Sequence, residues 1–354
     1  MTKILCDGLT MMGVEIKIVT SRIDEVWFSK YVNRVEFLRA KPDFDAVVNE
    51  IAEIARKVEP DAVVAMVQEP FLCYAAKKGA GTKVPCIMYV HFPLDEEIES
   101  ENLEEYHRHY RFPEIASKYL SYVDAVVVNS IRTRIATKFV WGVDAEVVYP
   151  CIDDVFVHPE PEKKVREPAI LYVGRFVALK RQDFLLLAFK ELKKHVPNAR
   201  LVLAGFVDPR HREYYEHVKE LVDNARDELK DVELVANPSD EELVELYKEA
   251  KVYAHPRIGE HFGMAPIEAM SLGGIVVIRA PTGLSEVVEN GVEAHVTRSD
   301  QQFVQTIKKV LRMDYDEWVK YFDRRTTLAK KFNAKKFGTE MIEVIKKVIQ
   351  KLKS

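Results

Sequence analysis

Cysteine is scarce in this 354-residue chain: four residues (Cys6, Cys73, Cys86, Cys151), far apart and without a CxxC pair. That pattern suggests neither a zinc cage nor a disulfide framework, and a reduced compartment is expected. Positive charge is not in excess, since 52 Lys+Arg against 56 Asp+Glu leave −4. The electrostatic footprint of a nucleic-acid binder is therefore missing. The longest apolar runs, such as Ala62–Val67, have only strand length, so no membrane-spanning helix is expected. No secretory leader is expected at the start either. Neither a GxGxxG fingerprint nor a Walker motif occurs, which disfavours an ordinary dinucleotide enzyme or a P-loop NTPase. Repeats and low-complexity tracts are lacking too.

What is present is a globular composition, 47% hydrophobic and 31% charged, well outside the disordered range. At about 150 residues per domain the length predicts two domains. Short β-rich runs alternate with helical periods to about residue 300. Strands are expected at Glu15–Val19, Ala62–Val67, Cys86–His91, Ala125–Asn129 and Glu146–Val148, then at Ile170–Val173, Leu201–Ala204, Glu233–Val235, Val252–Ala254 and Ile275–Ile278. Helices are expected at Asp183–His195, Glu213–Leu229 and Glu241–Ala250, and beyond Asp300 at Tyr315–Lys330 and Lys335–Leu352. Alternation of this kind predicts an α/β fold of doubly wound parallel sheets, covered on both faces. The rhythm breaks at Val157–Pro168, where three prolines and mixed charge read as a linker. The domains expected are 1–157, 158–334 and a terminal helix at 335–354, which could cross back to the first domain. Residues 1–157 carry 18 basic and 25 acidic residues and the remainder 34 and 31, so the halves differ, −7 against +3.

Two segments carry chemistry. In Ala169–Arg181 a buried strand ends at Gly174, and Arg175 and Lys180 follow in the loop before a helix. Parallel α/β sheets bind ligands beyond the carboxyl ends of their strands, where an Arg fork and a Lys point charge can clamp a diphosphate. Two surface cations at a helix start are the plainer alternative. In Glu260–Gly274, Gly263 permits close backbone approach and Pro266 suits a first helical turn. A helix start near Gly263–Ala265 would leave amides open to an anion or to hydroxyls. Glu260 precedes that start and Glu268 lies one turn inside it, so the two carboxylates address different parts of one ligand. A lone glutamate there would serve only the helix dipole.

Together with Gly283-Leu-Ser-Glu286-Val-Val-Glu-Asn-Gly and Val148-Tyr-Pro-Cys-Ile-Asp153, these segments resemble glycosyltransferase family 4, the retaining enzymes of GT-B type. Tyr89-Val-His91-Phe-Pro, Val148-Tyr-Pro-Cys and Glu260-His-Phe-Gly are most similar to mannosyltransferases that extend lipid-linked oligosaccharides from GDP-mannose. The resemblance implies two Rossmann-like domains facing across a cleft, and transfer of a hexose to a glycan or lipid-linked acceptor. It gives Gly174, Arg175 and Lys180 the donor diphosphate and Glu268 the ribose hydroxyls. Glu260 would take the sugar hydroxyls, and the backbone of Phe262, Gly263 and Met264 would approach sugar and phosphate. His91 matches the histidine near the reacting sugar; a strand-end histidine bonded to backbone is the plainer alternative. Ser130 matches a family serine of structural kind. No cofactor or metal is expected, the nucleotide sugar being the substrate. Asp43-Phe-Asp45 reads as DxD, a metal motif of the other glycosyltransferase fold, but suits a helix cap.

The family normally opens with a strand and a glycine-rich loop, whereas this chain starts within the following helix. The opening strand is expected to be missing, leaving two strand edges unpaired. A start codon placed too far downstream, a decayed or regulatory relative and a differently closed sheet all account for that. A UDP-dependent glucosyl or N-acetylglucosaminyl transferase, a sugar-nucleotide epimerase and a non-catalytic nucleotide-sugar-binding relative remain as alternatives. Localisation is expected to be cytoplasmic. Glu105–Arg111, with interleaved aromatics and bases, offers a peripheral membrane contact at the inner face, or simply a solvated helix face.

Overall fold

The computed structural model describes residues 1–25, 28–39, 43–93, 118–157, 161–164 and 166–353. Glu105–Arg111 and part of the expected linker lie outside the described residues. By internal packing the chain divides into two units, Met1–Cys151 with Ala334–Ser354, and Ile152–Asn333. Every strand pairing in both is parallel, the α/β class that strand–helix alternation predicts.

The first unit opens with helix α1 (Thr2–Thr10), followed by β1 (Ile18–Thr20) and β2 (Val35–Phe37), which pair only with each other. Its main sheet has the order β3-β4-β5-β6 (Val63–Ala65, Cys86–Val90, Ala125–Val128, Glu146–Val147). Among the described residues one edge of β1 and one of β3 therefore stay unpaired. The strand expected over Glu15–Val19 forms only at Ile18–Thr20, because β2 offers three residues of register. Helices α2 (Phe44–Val58) and α3 (Phe71–Ala80) lie between these strands. Asp43 caps α2 by accepting the Ala46 amide at 2.9 Å, the ordinary use of an aspartate at that position. Helix α4 (Ile131–Trp141) starts at Ser130, whose Oγ accepts the Thr133 amide at 2.9 Å.

The second unit holds one six-stranded sheet, order β12-β11-β10-β7-β8-β9. Its strands are β7 (Ala169–Val173), β8 (Arg200–Gly205), β9 (Val232–Ala236), β10 (Val252–His255), β11 (Ile275–Arg279) and β12 (Ala294–Thr297). Helices α5 (Gln182–Lys193), α6 (Arg212–Asn224), α7 (Arg226–Leu229), α8 (Asp240–Glu249), α9 (Met264–Ser271) and α10 (Asp300–Arg312) link or follow them. Two further helices, α11 (Tyr315–Val319) and α12 (Phe322–Ala329), complete the unit. The single helices expected over Glu213–Leu229 and Tyr315–Lys330 are thus each two. The backbone leaves the helical region at Ala225, and at Tyr321 it turns to start α12. Beneath α9 and α12 the indole of Trp318 is stacked by two buried guanidiniums, Arg166 at 5.4 Å and Arg325 at 5.2 Å. Among the described residues neither forms an ion pair with a carboxylate. Arg166 donates to the carbonyls of Tyr247, Ala250 and Leu272, and Arg325 to Gly273 and Trp318. Several of these carbonyls are orphans at helix C-termini, where cations are favoured.

Helix α13 (Ala334–Lys353) returns to the first unit and crosses α1 with almost no separation. A Cβ on Gly8 would sit 2.1 Å from the Ala334 carbonyl oxygen, and one on Gly338 would sit 2.6 Å from the Gly8 carbonyl carbon. Around that crossing Ile4, Leu5, Phe337, Met341 and Val344 pack on Ile87, Tyr89 and Val127 of the sheet. Alanine gains about 1 kcal/mol over glycine in a helix, but here it must push two backbones apart, which costs about 1–3 kcal/mol or more. Gly8→Ala is therefore expected to lower the thermal unfolding midpoint by several degrees, read by circular dichroism.

Candidate functional site

The order of the second sheet locates its crevice. From β7 the chain steps outward through β8 and β9, then returns to the other side for β10, β11 and β12. The carboxyl ends of β7 and β10 thus flank the switch point, where such sheets bind ligands. Gly174 follows β7 directly, and its amide donates to Ala204 at 3.0 Å. A Cβ at Gly205 would meet the Gly174 carbonyl at 2.0 Å, so the loops after β7 and β8 touch backbone to backbone.

Lys180 and Glu260 are brought together at this point. The Lys180 ammonium donates to Glu260 Oε2 in a short ion pair, with both side chains nearly buried. Two residues unremarked in the sequence complete the arrangement: His255 Nε2 lies 3.1 Å and Arg257 Nη1 3.7 Å from the same oxygen. Burial alone would raise the Glu260 carboxyl, but Lys180, the His255 hydrogen bond and Arg257 together hold it well below the ordinary range. Burial lowers His255, so the ring is neutral and donates its Nε2 proton. Burial also lowers Lys180, opposed by the Glu260 charge. Counting Glu260 against Lys180, Arg257 and Arg175, the cluster is positive. Arg175 is exposed, and its guanidinium forms no ion pair among the described residues; only its carbonyl is used, accepting from Gln182 Nε2 at 2.8 Å.

The loop carrying Lys180 is held from behind. Arg181 adopts a left-handed backbone, φ 59°, a conformation that costs a non-glycine residue about 1 kcal/mol or more. Its guanidinium grips Asp300 through two bonds, 3.1 and 2.6 Å, and reaches the Pro256 carbonyl at 3.1 Å. Arg279 Nε also donates to Asp300 at 2.9 Å.

The Glu260 loop is tied to the Gly283–Glu286 motif by backbone. The Gly283 amide donates to the Glu260 carbonyl at 2.9 Å and the Leu284 amide to the Phe262 carbonyl at 3.1 Å. Phe262 is buried, its ring against Phe332. Gly263 at φ 97° ends the loop, and α9 starts at Met264 without a side-chain cap. The first-turn amides of Met264 and Ala265 therefore point beyond the helix start. One turn on, Glu268 accepts the Tyr247 hydroxyl at 2.7 Å. Burial pushes this carboxyl up to about 7, partly offset by that hydrogen bond. Tyr247 packs 6.0 Å from Tyr253, whose own neighbours are Tyr172 at 6.4 Å and His255 at 6.2 Å. One aromatic layer underlies both glutamates.

His91 lies in the first unit, just beyond β4. Its Nε2 is 2.9 Å from the Met66 carbonyl and burial lowers its pKa. The ring is thus neutral, donates from Nε2 and leaves Nδ1 as an acceptor. Sequence reasoning passed over His255, Arg257 and Tyr247; the one signal for the first two was their place at the carboxyl end of β10.

The Lys180–Glu260 pair makes a checkable claim. Breaking a buried pair by removing one partner costs on the order of 3 kcal/mol. Lys180→Met is expected to lower the unfolding midpoint of the second unit, and Lys180→Met/Glu260→Gln to recover part of the loss, measured by urea unfolding.

Two family models match the chain: "Glycosyltransferase Family 4" over residues 1–156 and "Glycosyl transferases group 1" over residues 154–329. A Neurospora crassa GDP-Man:Man(3)GlcNAc(2)-PP-Dol alpha-1,2-mannosyltransferase is 28% identical over 64% of this chain and 46% of its own length. The alpha-1,3/1,6-mannosyltransferase alg-2 of the same organism is 26% identical over 74% of this chain and 61% of its own. The chain thus spans about half the length of such curated relatives. Among solved structures, Anabaena Alr3699/HepE in complex with UDP-glucose superimposes with a TM-score of 0.76 at 17% identity, over 98% of this chain and 95% of that one. The chain is a glycosyltransferase of the GT-B fold, belonging to glycosyltransferase family 4 in its first half and to the group 1 glycosyl transferases in its second.

Proposed function

We propose that this glycosyltransferase moves a hexose, mannose from GDP-mannose, to a glycan or lipid-linked acceptor with retention of configuration and without a metal. The observation that carries the reading is the positive cluster at the switch point: Lys180 on Glu260, the exposed Arg175 in the loop after β7, and the uncapped start of α9 that follows the Glu260 loop. Nucleotide-sugar cleavage builds negative charge on the departing diphosphate, and fixed cations and amides aimed there lower the barrier. Arg175 and Lys180 take the diphosphate, Glu260 the hydroxyls of the transferred sugar, and Glu268 those of the ribose. The bond from the anomeric carbon to diphosphate breaks as the bond to the acceptor oxygen forms on the same face. The acceptor proton passes to the departing phosphate oxygen. Mannose and the lipid-linked acceptor are favoured by the printed activity of the Neurospora crassa relative. No helix among the described residues is long and apolar enough to cross a membrane. A UDP-sugar donor is the second reading, since UDP-glucose occupies the HepE structure.

A thermal-shift panel of GDP, UDP, ADP and their sugar conjugates, followed by transfer assays with the ligand that shifts, tests this. A shift with GDP and GDP-mannose is expected, about 2.7 kcal/mol of stabilisation at 100 times the dissociation constant; a UDP-only shift overturns the donor, and no shift overturns the reading. Arg175→Ala is expected to cut kcat by about 100-fold or more with an unchanged unfolding midpoint. The pH dependence follows from Glu268. Raised to about 7, it lets the folded chain bind more protons than the unfolded one between its ordinary value of 4.5 and 7. Its contribution to stability is therefore lost as pH rises through that window. Ribose hydroxyls bond more strongly to the ionised form than to the neutral acid, so nucleotide affinity is expected to be weaker at pH 6 than at pH 8, by up to about tenfold. Glu268→Gln flattens that slope in calorimetric titrations.

A further inference from the structure

Helix α4 is built inside out. Its inward positions are Thr133, Ala136 and Thr137, all buried, whereas Ile131, Ile135 and Phe139 face outward at 47%, 65% and 90% exposure. These three recur every fourth residue, so they form one stripe about 12 Å long at the usual helical rise. Scattered exposed apolar residues need no explanation, but a contiguous stripe of large ones does. The charges of the helix are all positive: Arg132, Arg134 and Lys138, with no acidic residue from Ile131 to Trp141. Arg134 and Lys138 are exposed beside the stripe. Asp144, past the helix end, pairs with Lys138 at 2.9 Å and leaves the face positive.

We propose that this face of α4 is a docking surface for an anionic lipid bilayer. Ile131, Ile135 and Phe139 enter the headgroup region while Arg134 and Lys138 meet lipid phosphates. Charge chooses this occupant over a second copy of the chain, because pairing two α4 faces would set Arg134 and Lys138 against their own equivalents. Size agrees. Three side chains supply only a fraction of the about 800 Å² per partner that a stable protein interface buries, whereas interfacial helices bind through a few inserted apolar side chains plus headgroup attraction. The inference stands on α4 alone and does not depend on which donor the second unit binds.

Co-sedimentation with vesicles tests it, using pure phosphatidylcholine and a phosphatidylcholine–phosphatidylglycerol mixture. The intact chain is expected to sediment with the mixed vesicles and less with the neutral ones, and added salt should weaken the difference. Ile135→Ser/Phe139→Ser should reduce partitioning about tenfold or more with no loss of unfolding temperature, since both side chains are exposed. Arg134→Glu should weaken binding to mixed vesicles only. The proposal is overturned if the intact chain ignores mixed vesicles, or if the double variant partitions equally. It is also overturned if light scattering shows a dimer that the double variant reduces to monomers, which would make the stripe a contact between copies.

Discussion

A carboxylate removed from water keeps its charge only if cations and donors replace the lost hydration. Glu260 meets that condition with Lys180, His255 and Arg257, contributed by the loop after β7 and the segment leaving β10. This constraint joins the two sides of the switch point and sets the position of the chain entering α9. Further supports hold the same geometry: the Arg181–Asp300–Arg279 clamp behind Lys180, and the backbone bonds from Gly283 and Leu284 to the Glu260 loop. The left-handed backbone at Arg181 is tolerated because its side chain is fixed at three points. An arriving diphosphate would compete with Glu260 for Lys180 and release the carboxylate toward sugar hydroxyls. The ion pair is thus a resting arrangement of two groups whose proposed work is on different parts of one ligand.

The two glutamates show how environment separates identical side chains. Glu260 has cations around it and stays ionised well below the ordinary range. Glu268 has chiefly the Tyr247 hydroxyl to offset burial and rises to about 7. Tyr247, Tyr253 and Tyr172 form one aromatic layer under both, so the carboxylates share a floor while differing in charge.

Much of the architecture is legible in the sequence because fully buried parallel strands read as continuous apolar runs. Cys86–Val90 and Ala169–Val173 are buried at every position, and both read as unbroken apolar runs of strand length. Val35–Phe37 and Ala294–Thr297 escaped, being short, the first largely exposed, with a glutamate and a histidine inside them. Lys180 and Glu260 stand out as members of spaced motifs, but their ion pair does not, since 80 residues separate them. His255 and Arg257 look like ordinary strand-end residues until β10 is placed beside β7. The stripe on α4 could not be read either: Ile131, Ile135 and Phe139 have the spacing of a core face, and only burial shows that Thr133, Ala136 and Thr137 took that place.

The central claim is that a nucleoside diphosphate is held by the loop after β7 and the start of α9 through groups organised around Glu260. Hydrogen–deuterium exchange with and without saturating GDP measures that directly, peptide by peptide. The account predicts slowed exchange in residues 174–181 and 259–268, with little change on the far side of the second sheet. Protection confined to other segments, or none at a concentration where calorimetry shows the nucleotide bound, would contradict it.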